Sequence, residues 1–120
     1  MNFAASFGYF NASWTMRVEL TAAYICQLMA HLDQSGTDFC VPQPDQETAN
    51  ADRIDWLQGF TSGYIARWGD VFPKQTGTGP WIHTQSYEAD KDLILKGPVD
   101  DGMMQFQKRL TRTANASERT

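Results

Sequence analysis

The sequence predicts a small α+β domain in which an antiparallel sheet of three or four strands is covered by about three helices. Three observations carry that reading. Residues Trp14 to Leu20 alternate strictly between apolar and polar, two later segments keep helical spacing, and a loop rich in glycine and proline separates them from short apolar runs. An all-α arrangement with a stray hairpin is the alternative.

Taken in order, Phe3, Ala5, Phe7 and Tyr9 alternate weakly, and Asn11-Ala12-Ser13 offers a turn into the next segment, so a hairpin competes here with a disordered leader. Trp14, Met16, Val18 and Leu20 then point one way, with Thr15, Arg17 and Glu19 opposite, as in a half-buried strand. Their apolar face is expected to pack on Leu28 and Leu32. Thr21 is placed to cap a helix over 22–34 whose Tyr24, Ile25, Leu28, Met29 and Leu32 form one stripe, and Gly36 ends it. Phe39-Cys40-Val41 leads into Pro42-Gln43-Pro44, an extended connector that cannot continue a helix.

A second helix, capped by Asp45 or Asn50, is expected to run to Gly69 along the stripe Ile54, Leu57, Thr61, Tyr64, Ile65 and Trp68. Its other side collects Asp52, Asp55, Gly59, Gly63 and Ala66, with Trp56 flanking them. Residues 73–80 form a loop. Trp81 to Tyr87 and Leu93 to Lys96 read as short strands joined by a polar turn at Glu88 to Lys91. Asp100 or Asp101 starts a last helix through Met103, Phe106 and Leu110, its basic end facing the negative pole of the dipole. Residues 1–112 are thus expected to form one domain, and 113–120 a polar, frayed tail.

Composition supports a folded chain: 120 residues are 42% hydrophobic and 20% charged, and seven Phe, four Tyr and four Trp supply large buried areas. The net charge of −4 disfavours direct binding to DNA, since generic affinity for phosphates rests on Lys and Arg. Between Asp33 and Asp70 seven acids face two bases, whereas Lys108, Arg109, Arg112 and Arg119 make the tail basic. No apolar stretch has the length of about 18 residues that a membrane span requires, and Met1 to Phe10 lacks a basic leader. A cytoplasmic location with reduced thiols is the expectation.

The motifs for chemistry are weak. Gly77-Thr78-Gly79 suggests a phosphate cradle, but Lys74 precedes the glycines and Pro80 removes a donor where a Walker loop needs Lys and a helix start. His31, His83, Cys26 and Cys40 show none of the paired spacings of a zinc site, so no metal is expected. Packing accounts for both cysteines, because an apolar neighbourhood such as that of Cys40 raises a thiol pKa instead of activating it. Asp52 and Asp55 lie three apart on one helix face, yet no concave apolar setting around them is visible to tune a general acid. Neither a catalytic residue nor a cofactor is therefore expected.

What stands out is Gly59 and Gly63, each costing about 1 kcal/mol against Ala inside a helix, on a face edged by Trp56. That face lets another backbone approach, either within the domain or from a partner. The expectation is a non-enzymatic protein-binding module, an acidic inhibitor whose Asp52, Asp55, Trp56, Gly59 and Gly63 occupy the basic groove of a larger, nucleic-acid-binding protein. In style it resembles small accessory proteins of phages and mobile elements. The alternatives are a self-assembling structural subunit, a homodimer included, and then a small enzyme.

Overall fold

The computed structural model describes residues 3–55, 63–77 and 79–110, the side chains of Tyr64 and Ile65 excepted. Helix α1 (Trp14–Ser35) begins directly after Ser13, whose carbonyl accepts from Met16 N–H at 3.2 Å. The segment expected as a strand is therefore the first two turns of a 22-residue helix. Its period-2 alternation coincides with a second pattern: Arg17, Leu20, Tyr24, Leu28 and His31 recur every three or four residues and share one side. Leu20 is buried at 4% exposure while Val18, expected beside it, is 51% exposed. Continuous helix satisfies every interior backbone group without a partner strand, which tips the choice. Gly36 ends the helix in the left-handed conformation, φ 65°, and Thr37 N–H reaches back to Leu32 O at 3.1 Å.

Strand β1 (Phe39–Pro42) follows and pairs antiparallel with β4 (Met104–Gln107), Phe39 opposite Gln107 and Pro42 opposite Met104. The last helix expected from Asp100 or Asp101 is thus a strand. Asp101 accepts from Met103 N–H at 2.9 Å and Gly102 takes φ 82°, so this stretch turns the chain instead of starting a helix. His31 of α1 meets Phe106 of β4 ring against ring, centroids 4.5 Å apart, which sets the helix over this ribbon.

Asp45 does cap a helix, its carboxylate accepting from Thr48 N–H at 2.7 Å, but α2 (Gln46–Asn50) is only five residues long. The chain then extends into β2 (Ile54–Asp55), paired antiparallel with β3 (Lys74–Gln75). Helix α3 (Gly63–Trp68) is a separate element, so no single helix runs from Asp45 to Gly69. A 3₁₀ turn at Gly79–Trp81 leads to α4 (Tyr87–Lys96), where two strands were expected. Ser86 caps α4 by accepting from Ala89 N–H at 3.3 Å, with Glu88 and Asp90 in the first turn and Lys96 in the last, each favoured by the dipole.

The architecture is mixed, with helices and two separate two-stranded antiparallel sheets among the described residues, not one sheet of three or four strands. Among the described residues, Tyr9 and Leu20 are the buried hydrophobic side chains, at 2% and 4% exposure. Both lie where α1, α4 and the leading segment 3–13 converge.

Candidate functional site

Asp90 marks the place to look, because a carboxylate at 1% exposure is costly unless its oxygens are satisfied. Capping by Ser86 fixes the start of α4 and brings Asp90, one turn in, to face α1. Three donors from three segments converge on it. The Tyr9 hydroxyl donates to Oδ2 at 2.6 Å, the Thr84 hydroxyl donates to Oδ1 at 2.6 Å, and Arg17 of α1 forms an ion pair with Oδ2. Thr84 in turn accepts from Ser86 N–H at 3.2 Å, so the cap and the carboxylate share a partner. Burial, followed by the hydrogen bond to Asp90, pushes the Tyr9 phenol above its ordinary value.

Aromatic edges close the remaining sides: Tyr9 stands edge-on to His83 at 5.7 Å and to Tyr87 at 6.4 Å between centroids. A second tie holds the leading segment to α1. Thr21 donates to Arg17 O at 2.9 Å, which leaves its oxygen to accept from Ser6 at 3.0 Å. Gln85 sits at φ 56°, a conformation non-glycine residues rarely adopt, and its side-chain oxygen accepts from Phe10 N–H at 3.2 Å. Its Nε2, like Trp81 Nε1, is buried without a hydrogen-bond partner among the described residues. Tyr9 and Asp90 are both enclosed, and this one carboxylate ties together the leading segment, α1 and the turn before α4.

The residues singled out by sequence lie elsewhere. Asp52 is exposed in the extended link between α2 and β2. Asp55, in β2, pairs with Lys74 of β3, and its side chain is 62% exposed. Gly63 opens α3, and a Cβ built there meets nothing within 4 Å. Trp56 and Gly59 lie outside the described residues. Asp52, Asp55 and Gly63 therefore do not share a helical face, because the backbone around Asp55 is committed to strand pairing with Lys74.

Cys26, expected to pack, is exposed, while burial raises the thiol pKa of Cys40 as its apolar neighbours imply. No group of three His, Cys, Asp or Glu side chains could hold a metal ion among the described residues. No helix among them is long and apolar enough to cross a membrane. An open depression of about 160 Å³ lies between Thr48, Arg53, Thr76 and Trp81, close to the glycine loop.

Sequence reasoning missed the Asp90 clasp because its members are scattered over the chain. Local signals existed for one part of it: Ser86 followed by Glu88, Ala89 and Asp90 is a helix-start pattern.

The chain is similar to several flavin enzymes. It is 41% identical over 114 residues, 95% of its length, to the probable FAD-binding monooxygenase AlmA of an Acinetobacter species. Identity is 36% over 105 residues to the putative FAD-containing monooxygenase MymA and 36% over 108 residues to the FAD-containing monooxygenase EthA, both of Mycobacterium tuberculosis. The chain spans only about a fifth of the length of these relatives, 21 to 22%. No family model matches it, and no solved structure does. These similarities overturn the expectation of a non-enzymatic inhibitor that imitates nucleic acid in the style of a phage accessory protein. Proteins that match about nine-tenths of the chain are named as enzymes.

Proposed function

We propose that this chain forms part of a flavin-dependent monooxygenase, an enzyme in which reduced flavin and dioxygen place one oxygen atom in the substrate and release the other as water, the flavin ending oxidised. The observation that carries the reading is the similarity to AlmA, MymA and EthA along 88 to 95% of the chain, too extended for a shared local motif.

The described residues do not by themselves fit a flavin dinucleotide. The depression of about 160 Å³ is smaller than the 300 to 1,000 Å³ typical of ligand pockets. The glycines near Pro80 lead from a two-residue strand into a three-residue 3₁₀ turn, so no long helix presents its N-terminus to phosphates. The role proposed for the segment is accordingly structural: the Tyr9, Arg17 and Asp90 clasp holds α1 and α4 as a rigid unit within a larger flavoenzyme.

Installing the chain in place of the matching segment of Acinetobacter baylyi AlmA, to which it is 41% identical over 108 residues, tests this. The chimera is expected to fold, retain flavin and keep flavin-dependent oxygen consumption. A chimera that aggregates or loses flavin, where AlmA itself keeps it, would contradict the proposal.

A further inference from the structure

One side of α1 is already in use. Arg17, Leu20 and His31 face the clasp and β4, through Asp90 and Phe106. The outer side is apolar nonetheless. Trp14, Val18 and Met29 are 57%, 51% and 60% exposed, and Ala22 lies exposed between them. At 3.6 residues per turn these four fall within about 80° of one another, a stripe along most of the helix. Single exposed apolar residues are ordinary on a protein surface, but a tryptophan, a valine and a methionine aligned on one face are not. Trp and Met are also types enriched where proteins meet.

We infer that this stripe is a docking face, and that its occupant is the rest of a flavin-monooxygenase polypeptide; the inference rests on the reading proposed above. The argument for that occupant is length. In relatives that match this chain almost throughout, about four-fifths of the polypeptide lies outside the matching segment, enough to bury a helix against it. The face available for that burial is the one that neither α4 nor the sheet uses; at its start the Trp14 indole lies against Gly8 of the leading segment and is still 57% exposed. A second copy of the chain is the competing occupant, and the experiment separates the two.

The pair Val18→Glu and Met29→Glu is introduced both into the 120-residue chain and into the AlmA chimera. In the chain alone both positions face water, so helical circular dichroism should be unchanged and the chain should run as a monomer with or without the substitutions. In the chimera the same pair buries two carboxylates, and the melting temperature should fall by about 5 °C or more, whereas the apolar pair Val18→Ile and Met29→Leu should leave it unchanged. A chimera that melts alike with and without the glutamates would overturn the docking face while leaving the flavoenzyme reading intact. An isolated chain that dimerises, and becomes monomeric on introducing the glutamates, would overturn the proposed occupant in favour of a second copy. Failure of the unsubstituted chimera to fold would overturn the flavoenzyme reading, and the inference with it.

Discussion

The Tyr9 hydroxyl lies 2.6 Å from a carboxylate oxygen of Asp90, eighty-one positions further along the chain, and both side chains are almost wholly enclosed. This contact, with Arg17 on the same oxygen, fastens an otherwise irregular leading segment to two helices. Removing the carboxylate strands the Arg17 guanidinium and two hydroxyls at once. Asp90→Ala should therefore cost about 3 to 5 kcal/mol, whereas Tyr9→Phe, which deletes one donor and leaves Arg17 in place, should cost about 1 to 2 kcal/mol. Urea unfolding of the two variants checks the order; equal losses would mean that Asp90 is not the centre of the cluster.

The same contact has an alkaline signature. The Tyr9 phenol is raised above its ordinary value of 10.0, so as pH rises the unfolded chain loses this proton before the folded one does. Fewer protons on the unfolded state mean stability falls with pH: the contribution is complete below the unfolded value and lost as pH passes through the folded one. Tyr24 is raised in the same direction, again chiefly by burial, so the test is a difference between proteins. Urea midpoints for the parent and Tyr9→Phe, followed from about pH 8 to pH 11, should converge at the alkaline end. Parallel curves would remove Tyr9 from the account.

Two glycines are needed for different reasons. Gly36 holds φ 65° with open space around the position of a Cβ, so Gly36→Ala should cost about 1 to 2 kcal/mol and Gly36→Asn less. At Gly8 a Cβ would overlap the Trp14 indole, which must then swing away. Gly8→Ala should shift tryptophan fluorescence to the red, and Gly36→Ala should leave it unchanged.

These sites show how much of the molecule was legible. The C-terminal part of α1 and its end at Gly36 follow from periodicity and short-range capping, whereas Asp45, one of the two caps expected with Asn50, starts a helix of only five residues. Trp14 to Leu20 fitted two periods at once; continuous helix satisfies its backbone without a partner strand, and Asp90 against Arg17 supplies the tertiary contact that agrees with it. Met104 to Gln107 became a strand because Phe39 to Pro42, some 65 residues earlier, supplies its hydrogen bonds. The clasp itself was invisible for the same reason, since an aspartate inside a polar run announces nothing about a tyrosine near the other end of the chain. The acidic residues expected at a partner surface stood out by local charge, and local charge says nothing of the strand pairing that sets Asp55 opposite Lys74.

That pairing gives a contrasting expectation. Lys74 and Asp55 pair at the surface, so their coupling in a double-mutant cycle should not exceed about 1 kcal/mol and should shrink with added salt. The Arg17 and Asp90 pair, enclosed on the carboxylate side, should couple more strongly and respond less to salt. Equal coupling and equal salt response would place both pairs in the same environment, against the burial described above.

As proposed above, this chain is a structural part of a flavin monooxygenase and does not hold the flavin alone. Thermal unfolding with and without added FAD is the test, applied to the 120-residue chain and to the flavin-stripped AlmA chimera. A ligand at 100 times its dissociation constant stabilises the folded state by about 2.7 kcal/mol, a shift easily read on a melting curve. FAD should raise the melting temperature of the chimera and leave that of the isolated chain unchanged. A rise in the isolated chain, or none in a folded chimera, would contradict it.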